Sequence, residues 1–144
     1  MDRDAIAGML KEDRAEWKAL LAVLDARQGL SLHDPASPAW TPRDVFTHLP
    51  CWINHSTDGI EARLSGGAVA PLEGSDDEIN ARVQEQGSHL SHNEARAQAE
   101  RAFDRRVESI EAIAQERWDT GFEALAHADG QEHFAAHRSF IADA

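Results

Sequence analysis

An all-α fold, a bundle of four main helices, is predicted by three features of this sequence. Apolar residues recur at steps of three and four along most of the chain, and no stretch alternates with period two over five residues. The composition leans on alanine, contains no tyrosine and holds few β-branched residues. With 144 residues the chain can bury one hydrophobic core and is too short for two, so residues 1–144 are read as a single domain.

The first helix is predicted over roughly residues 3–28. Ile6, Met9, Leu10, Trp17, Leu20, Leu21 and Leu24 share a sector of about 120° at 100° per residue, and Gly29 with the proline-bearing stretch to Trp40 ends the pattern. Thr41-Pro42-Arg43-Asp44 reads as a helix start, with Thr41 as N-cap, Pro42 at the first helical position and Asp44 as the reciprocal acid. The second helix runs from there to about Leu64, with Val45, Phe46, Leu49, Ile53, Ile60 and Leu64 as its core stripe and Ser65-Gly66-Gly67 as its stop. Pro50 lies inside it, removes one backbone hydrogen bond and predicts a kink one turn after His48.

Two further capping boxes, Ser75 with Glu78 and Ser91 with Glu94, predict helices near 76–86 and 92–117, the longer one carrying Ala99, Phe103, Val107, Ile110 and Ala114 on one face. Residues 119–130, with Gly121 and Asp129-Gly130, read as a loop, and residues 131–142 as a final helix on which Phe134, His137 and Ile141 share a face.

The formal charge of −12 repels phosphate backbones and anionic headgroups, which argues against nucleic acid or a membrane surface as partner. One cysteine, Cys51, excludes an intramolecular disulfide and any multi-cysteine metal site and fits a cytoplasmic protein. No apolar run approaches the ~18 residues of a membrane span, and no glycine-rich phosphate cradle or nucleophile elbow is present.

Eight histidines carry the remaining chemistry. His133 and His137 are four apart, so on a helix their imidazoles stack on one face and can address one ion. A third ligand must come from another helix. His48, on the shoulder of the second helix's apolar stripe, is the best placed, with a hydrogen-bonded seam histidine as the competing reading. His55 lies one heptad, ~10 Å, further along the same line and cannot serve the same ion as His48. His33, His89, His92 and His127 are read as solvated, Cys51 as a small buried apolar residue, and Trp40, Trp52 and Trp118 as core or seam residues. Glu132, Glu12-Asp13 and Asp76-Asp77-Glu78 are read as surface or helix-start charges.

The segment Trp40-Thr-Pro-Arg-Asp-Val-Phe-Thr-His48-Leu with Cys51-Trp52, the stretch Asp77-Glu-Ile-Asn80-Ala-Arg and the last-helix motif Glu132-His133-Phe-Ala-Ala-His137 resemble three motifs of the DinB-like superfamily of four-helix-bundle metalloproteins. That group includes the metal-binding domain of mycothiol-dependent maleylpyruvate isomerase. The resemblance spans most of residues 40–141 and implies a metal triad on His48, His133 and His137, a long crossover between the second and third main helices, and a homodimer. Relatives transfer small thiols, isomerise thiol adducts or act as hydrolases. Two positions depart from the pattern: Pro50 replaces a small helix former, and Phe134 stands where tyrosine is common, which removes a hydroxyl from the motif.

Three neutral imidazoles imply a divalent ion, zinc or nickel, with open positions for water or a thiolate. The expected activity is metal-dependent transfer, isomerisation or hydrolysis on a small molecule, with a low-molecular-weight thiol as a partner. The alternative is a non-catalytic protein that sequesters such a molecule in the same seam.

Overall fold

The structure, a computed structural model, describes residues 1–32 and 40–142; the predicted loop histidine His33 lies outside them. Among the described residues six α-helices follow one another: α1 Arg3–Ala26, α2 Pro42–Leu64, α3 Asp76–Gln86, α4 His92–Glu111, α5 Thr120–His127 and α6 Gln131–Ala142, with a 3-10 turn at Gln115–Arg117. No strand occurs among the described residues.

Local chemistry sets the ends. Asp2 accepts the Ala5 N–H at 2.7 Å at the start of α1, and Ser75 and Ser91 each exchange bonds with the glutamate three residues on. At the start of α2 the Thr41 N–H donates to Asp44 Oδ2 at 2.9 Å. The helical backbone of α2 continues past Pro50 to Leu64.

Two elements differ from the sequence-based expectation. The long helix stops at Glu111 rather than near residue 117, and the chain unwinds so that Ile113 is buried while Ala114 faces solvent. Burial of a large side chain outweighs continuation of a helix through alanine. The predicted loop 119–130 contains α5, capped by Asp119, whose carboxylate accepts the Phe122 N–H at 2.9 Å. Gly121 there is not a breaker: a Cβ would stand 2.4 Å from the guanidinium carbon of Arg63, which pairs with Asp119 at 2.9 Å.

Helix α2 packs most extensively on α4, and α1 on α6, around one continuous core. Trp17 of α1 joins the two pairs. Its ring stacks on Phe103 of α4 at 4.9 Å and meets Phe134 of α6 edge-on at 5.0 Å.

Inside this core lies a buried ion pair. Arg106 of α4 and Asp13 of α1 are each 1% exposed and 2.8 Å apart, which corrects the reading of Asp13 as a surface charge. The guanidinium also donates to the carbonyls of Ala126 and Ala128 at 2.5 and 3.2 Å, and Asp13 Oδ1 accepts the Gln131 N–H at 3.0 Å. Gly130 precedes α6 and brings no capping side chain; a Cβ on it would come within 2.5 Å of Arg106. Asp13 therefore caps α6 from another helix, because the residue in the N-cap position must be small. His92 is a second correction: it is buried, faces Asp25 at 2.9 Å and packs edge-on against Phe46.

Removing one member of the Asp13–Arg106 pair strands the other charge in the core, so Asp13→Ala is expected to cost about 3–5 kcal/mol in urea unfolding. The double variant Asp13→Leu with Arg106→Met is expected to be more stable than either single one, and equal losses in all three would contradict the assignment.

Candidate metal centre

The three histidines come together where α2 faces α6. His48 is 3% exposed, and its ring donates from Nδ1 to the Val45 carbonyl at 2.7 Å, which leaves Nε2 free of a proton. The Trp40 ring stands edge-on to it at 5.0 Å. On α6 the Nε2 atoms of His133 and His137 are 3.0 Å apart. Ring centroids of His48 lie 5.9 Å from His133 and 4.8 Å from His137.

One nitrogen from each ring falls within 4.8 Å of the others, close enough to hold a metal ion. A shared zinc at 2.0–2.1 Å from each nitrogen would hold them roughly 3.3 Å apart, a change within reach of side-chain rotation. Two bare Nε2 lone pairs at 3.0 Å repel, so the His133–His137 contact is stable only with a proton or a cation between them.

The electrostatics suit a cation ligand set. Burial, reinforced by the charges of His137 and His133 and opposed by the Val45 carbonyl, holds His48 well below the ordinary imidazole range. Burial and then the charge of His133 bring His137 down to about 3. Both rings are neutral at pH 7 and keep their lone pairs available.

The other candidates fall elsewhere. His55 and Cys51 do not belong to the cluster. Cys51 is half-buried; burial pushes its thiol up, Arg82 opposes this and Asp129 adds to it. Glu132, His89 and His127 are exposed, as expected, although His127 ends α5 rather than lying in a loop. Phe134 is fully buried, edge-on to Trp17 at 5.0 Å and stacked beside the His133 ring at 6.3 Å, so the residue next to the cluster brings an apolar ring and no hydroxyl. Trp52 is half-buried and donates from its indole to Asn80 at 2.8 Å, tying α3 to α2 beside the site.

Sequence reasoning missed Asp129 and Ser56. Asp129 lies one turn before His133, a spacing masked by its neighbour Gly130, which made the pair read as a turn alone. Its carboxylate accepts a hydrogen bond from Ser56 and faces His133 Nδ1 at 3.4 Å. Burial alone would raise the Asp129 carboxyl; His133, Ser56 and the charge of Arg106 outweigh it and hold the group below the carboxylate range.

A separate groove of about 410 Å³ runs between the first turns of α1 and the end of α4, lined by Ile6, Leu10, Ile110 and Ile113, and none of the three histidines borders it. No protein-family model, curated protein or solved structure matches the chain. Among the described residues no helix is long and apolar enough to cross a membrane.

The histidine shifts set a pH dependence for the metal-free protein. An unfolded histidine takes up a proton near pH 6.5, whereas folded His137 resists until about 3, so stability is complete above about 6.5 and falls as the pH drops below it. The urea midpoint in chelator should decrease from about pH 7 to 5, less steeply in His137→Gln; a midpoint that stays flat over this range would contradict the burial of neutral rings.

Proposed function

We propose that this chain is a metalloprotein of the DinB-like kind in which His48, His133 and His137 hold one divalent ion. The proposed architecture is a four-helix bundle of α1, α2, α4 and α6, with the segment containing α3 as the crossover, assembled as a homodimer. The observation that carries the reading is the convergence of three imidazoles, two of them kept neutral by burial, between α2 and α6. Nitrogen-only donors favour zinc or nickel over ions that prefer oxygen.

An ion held there supplies Lewis acidity, which brings the pKa of water or a small thiol toward neutrality. The protein's own contribution is orientation and exclusion of water. The Val45 carbonyl fixes the His48 ring, the turn of α6 sets the spacing of the other two, and Trp40 walls the buried side. The reaction class that fits is transfer, isomerisation or hydrolysis on a small molecule, with water or a low-molecular-weight thiol as nucleophile. Sequestration without turnover is the second reading. It is favoured by one observation: the Cys51 thiol is pushed up and Phe134 has no polar atom, so neither offers a group for proton transfer.

Protein purified without a histidine tag is expected to bind close to one equivalent of zinc or nickel, His137→Ala to lose it, and His55→Ala and Cys51→Ala to keep it. Full stoichiometry in His137→Ala would sink the reading. With a thiol-reactive substrate, multiple turnovers abolished by chelator indicate catalysis, and consumption that saturates at one molecule per site indicates sequestration.

A further inference from the structure

Among the described residues Asp129 is the one non-glycine with a positive φ, +56°. That region is disfavoured for an ordinary side chain and is tolerated best by glycine, asparagine and aspartate. The strain places the carboxylate. Asp129 directly precedes Gly130, whose position against Arg106 is fixed, and the left-handed turn aims the side chain back at α2 and α6.

Two contacts result. Oδ2 accepts a hydrogen bond from Ser56, a buried residue of α2, and Oδ1 stands 3.4 Å from His133 Nδ1. That nitrogen is shielded from solvent and has no hydrogen-bond partner within normal limits. A ring that gives Nε2 to an ion must carry its proton on Nδ1, and a buried N–H with no acceptor is costly. His48 meets the same requirement through the Val45 carbonyl. His133 Nδ1 has no hydrogen-bonded main-chain carbonyl in that role, and the carboxylate that faces it is that of Asp129.

We propose that Asp129, held by Ser56, is the positioning residue for His133: it accepts the Nδ1–H, fixes the tautomer and ring plane that turn Nε2 toward the ion, and adds a negative charge beside the cation. The inference rests on the metal-centre reading and adds to it a residue outside the ligand set. Carboxylates in such positions commonly change metal affinity by 10–100-fold.

The test separates this role from that of a turn residue. Asp129→Gly keeps the positive φ at no steric cost but deletes the carboxylate, while Asp129→Asn keeps both the tolerated backbone and an oxygen acceptor. Zinc affinity of the full chain is measured by competition with a chromophoric chelator, alongside the urea midpoint of each metal-free protein. Asp129→Gly should bind zinc about 10–100-fold more weakly, with a metal-free midpoint lowered no further than that of Ser56→Ala, which loses the same hydrogen bond, and Asp129→Asn should recover part of the loss of affinity. Wild-type affinity in Asp129→Gly, or a midpoint well below that of Ser56→Ala, would overturn the proposal while leaving the metal centre standing. Failure of the wild-type chain to bind zinc or nickel at all would instead remove the metal reading, and this inference with it.

Discussion

The contact between Asp13 and Arg106 is the constraint on which the rest of the structure depends. Helix α6 has only 12 residues and begins after a glycine that supplies no cap, so its direction is not set by its own sequence. It is set by a carboxylate reaching over from α1 and by a guanidinium from α4 that holds the two carbonyls before it. Because His133 and His137 both ride on α6, the same pair fixes where two of the three histidines stand relative to α2. The bidentate contact of Arg138 with Glu16, at 3.0 and 3.1 Å, adds a second tie to α1 further along the helix.

A buried charge pair is an expensive way to join helices, since desolvation offsets most of the attraction. What it contributes is position. An apolar plug of equal volume would bind α1 to α4 without directing hydrogen bonds at the start of α6 or requiring a bare glycine there. Asp129, the residue before that glycine, takes its positive φ directly beside the same fixed point. A stability element of the core and the geometry of the histidine cluster are thus one connected network of Asp13, Arg106, Gly130, Asp129 and His133.

The periodic helices were legible because their burial follows the 3.6-residue repeat and their starts carry capping boxes that work locally. The stripe of α1 from Met9 to Leu24 and the stripe of α2 from Val45 to Ile60 are both buried. Where the sequence misled, a tertiary contact had overridden a local signal. Gly121 and Gly130 looked like punctuation, yet each is small to admit an arginine that arrives from elsewhere in the chain. Asp13 and His92 looked solvated because charge is usually exposed, and their partners Arg106 and Asp25 are 93 and 67 residues away. The His133–His137 pair was legible from helical spacing alone. His48 was named as the third ligand from its place beside the apolar stripe of α2 and from the motif resemblance, and the packing of the helices brings the three together; Asp129 could be recognised only once its backbone conformation was known.

The central claim is that three imidazoles, and no sulfur, form the protein's share of one coordination shell. X-ray absorption at the zinc edge, on untagged protein loaded with one equivalent, tests it most directly. The expected result is three imidazole nitrogens at about 2.0–2.1 Å with their outer-ring scattering, completed by light-atom ligands. A sulfur scatterer at about 2.3 Å, which would bring in Cys51, or a shell with fewer than three imidazoles would contradict it.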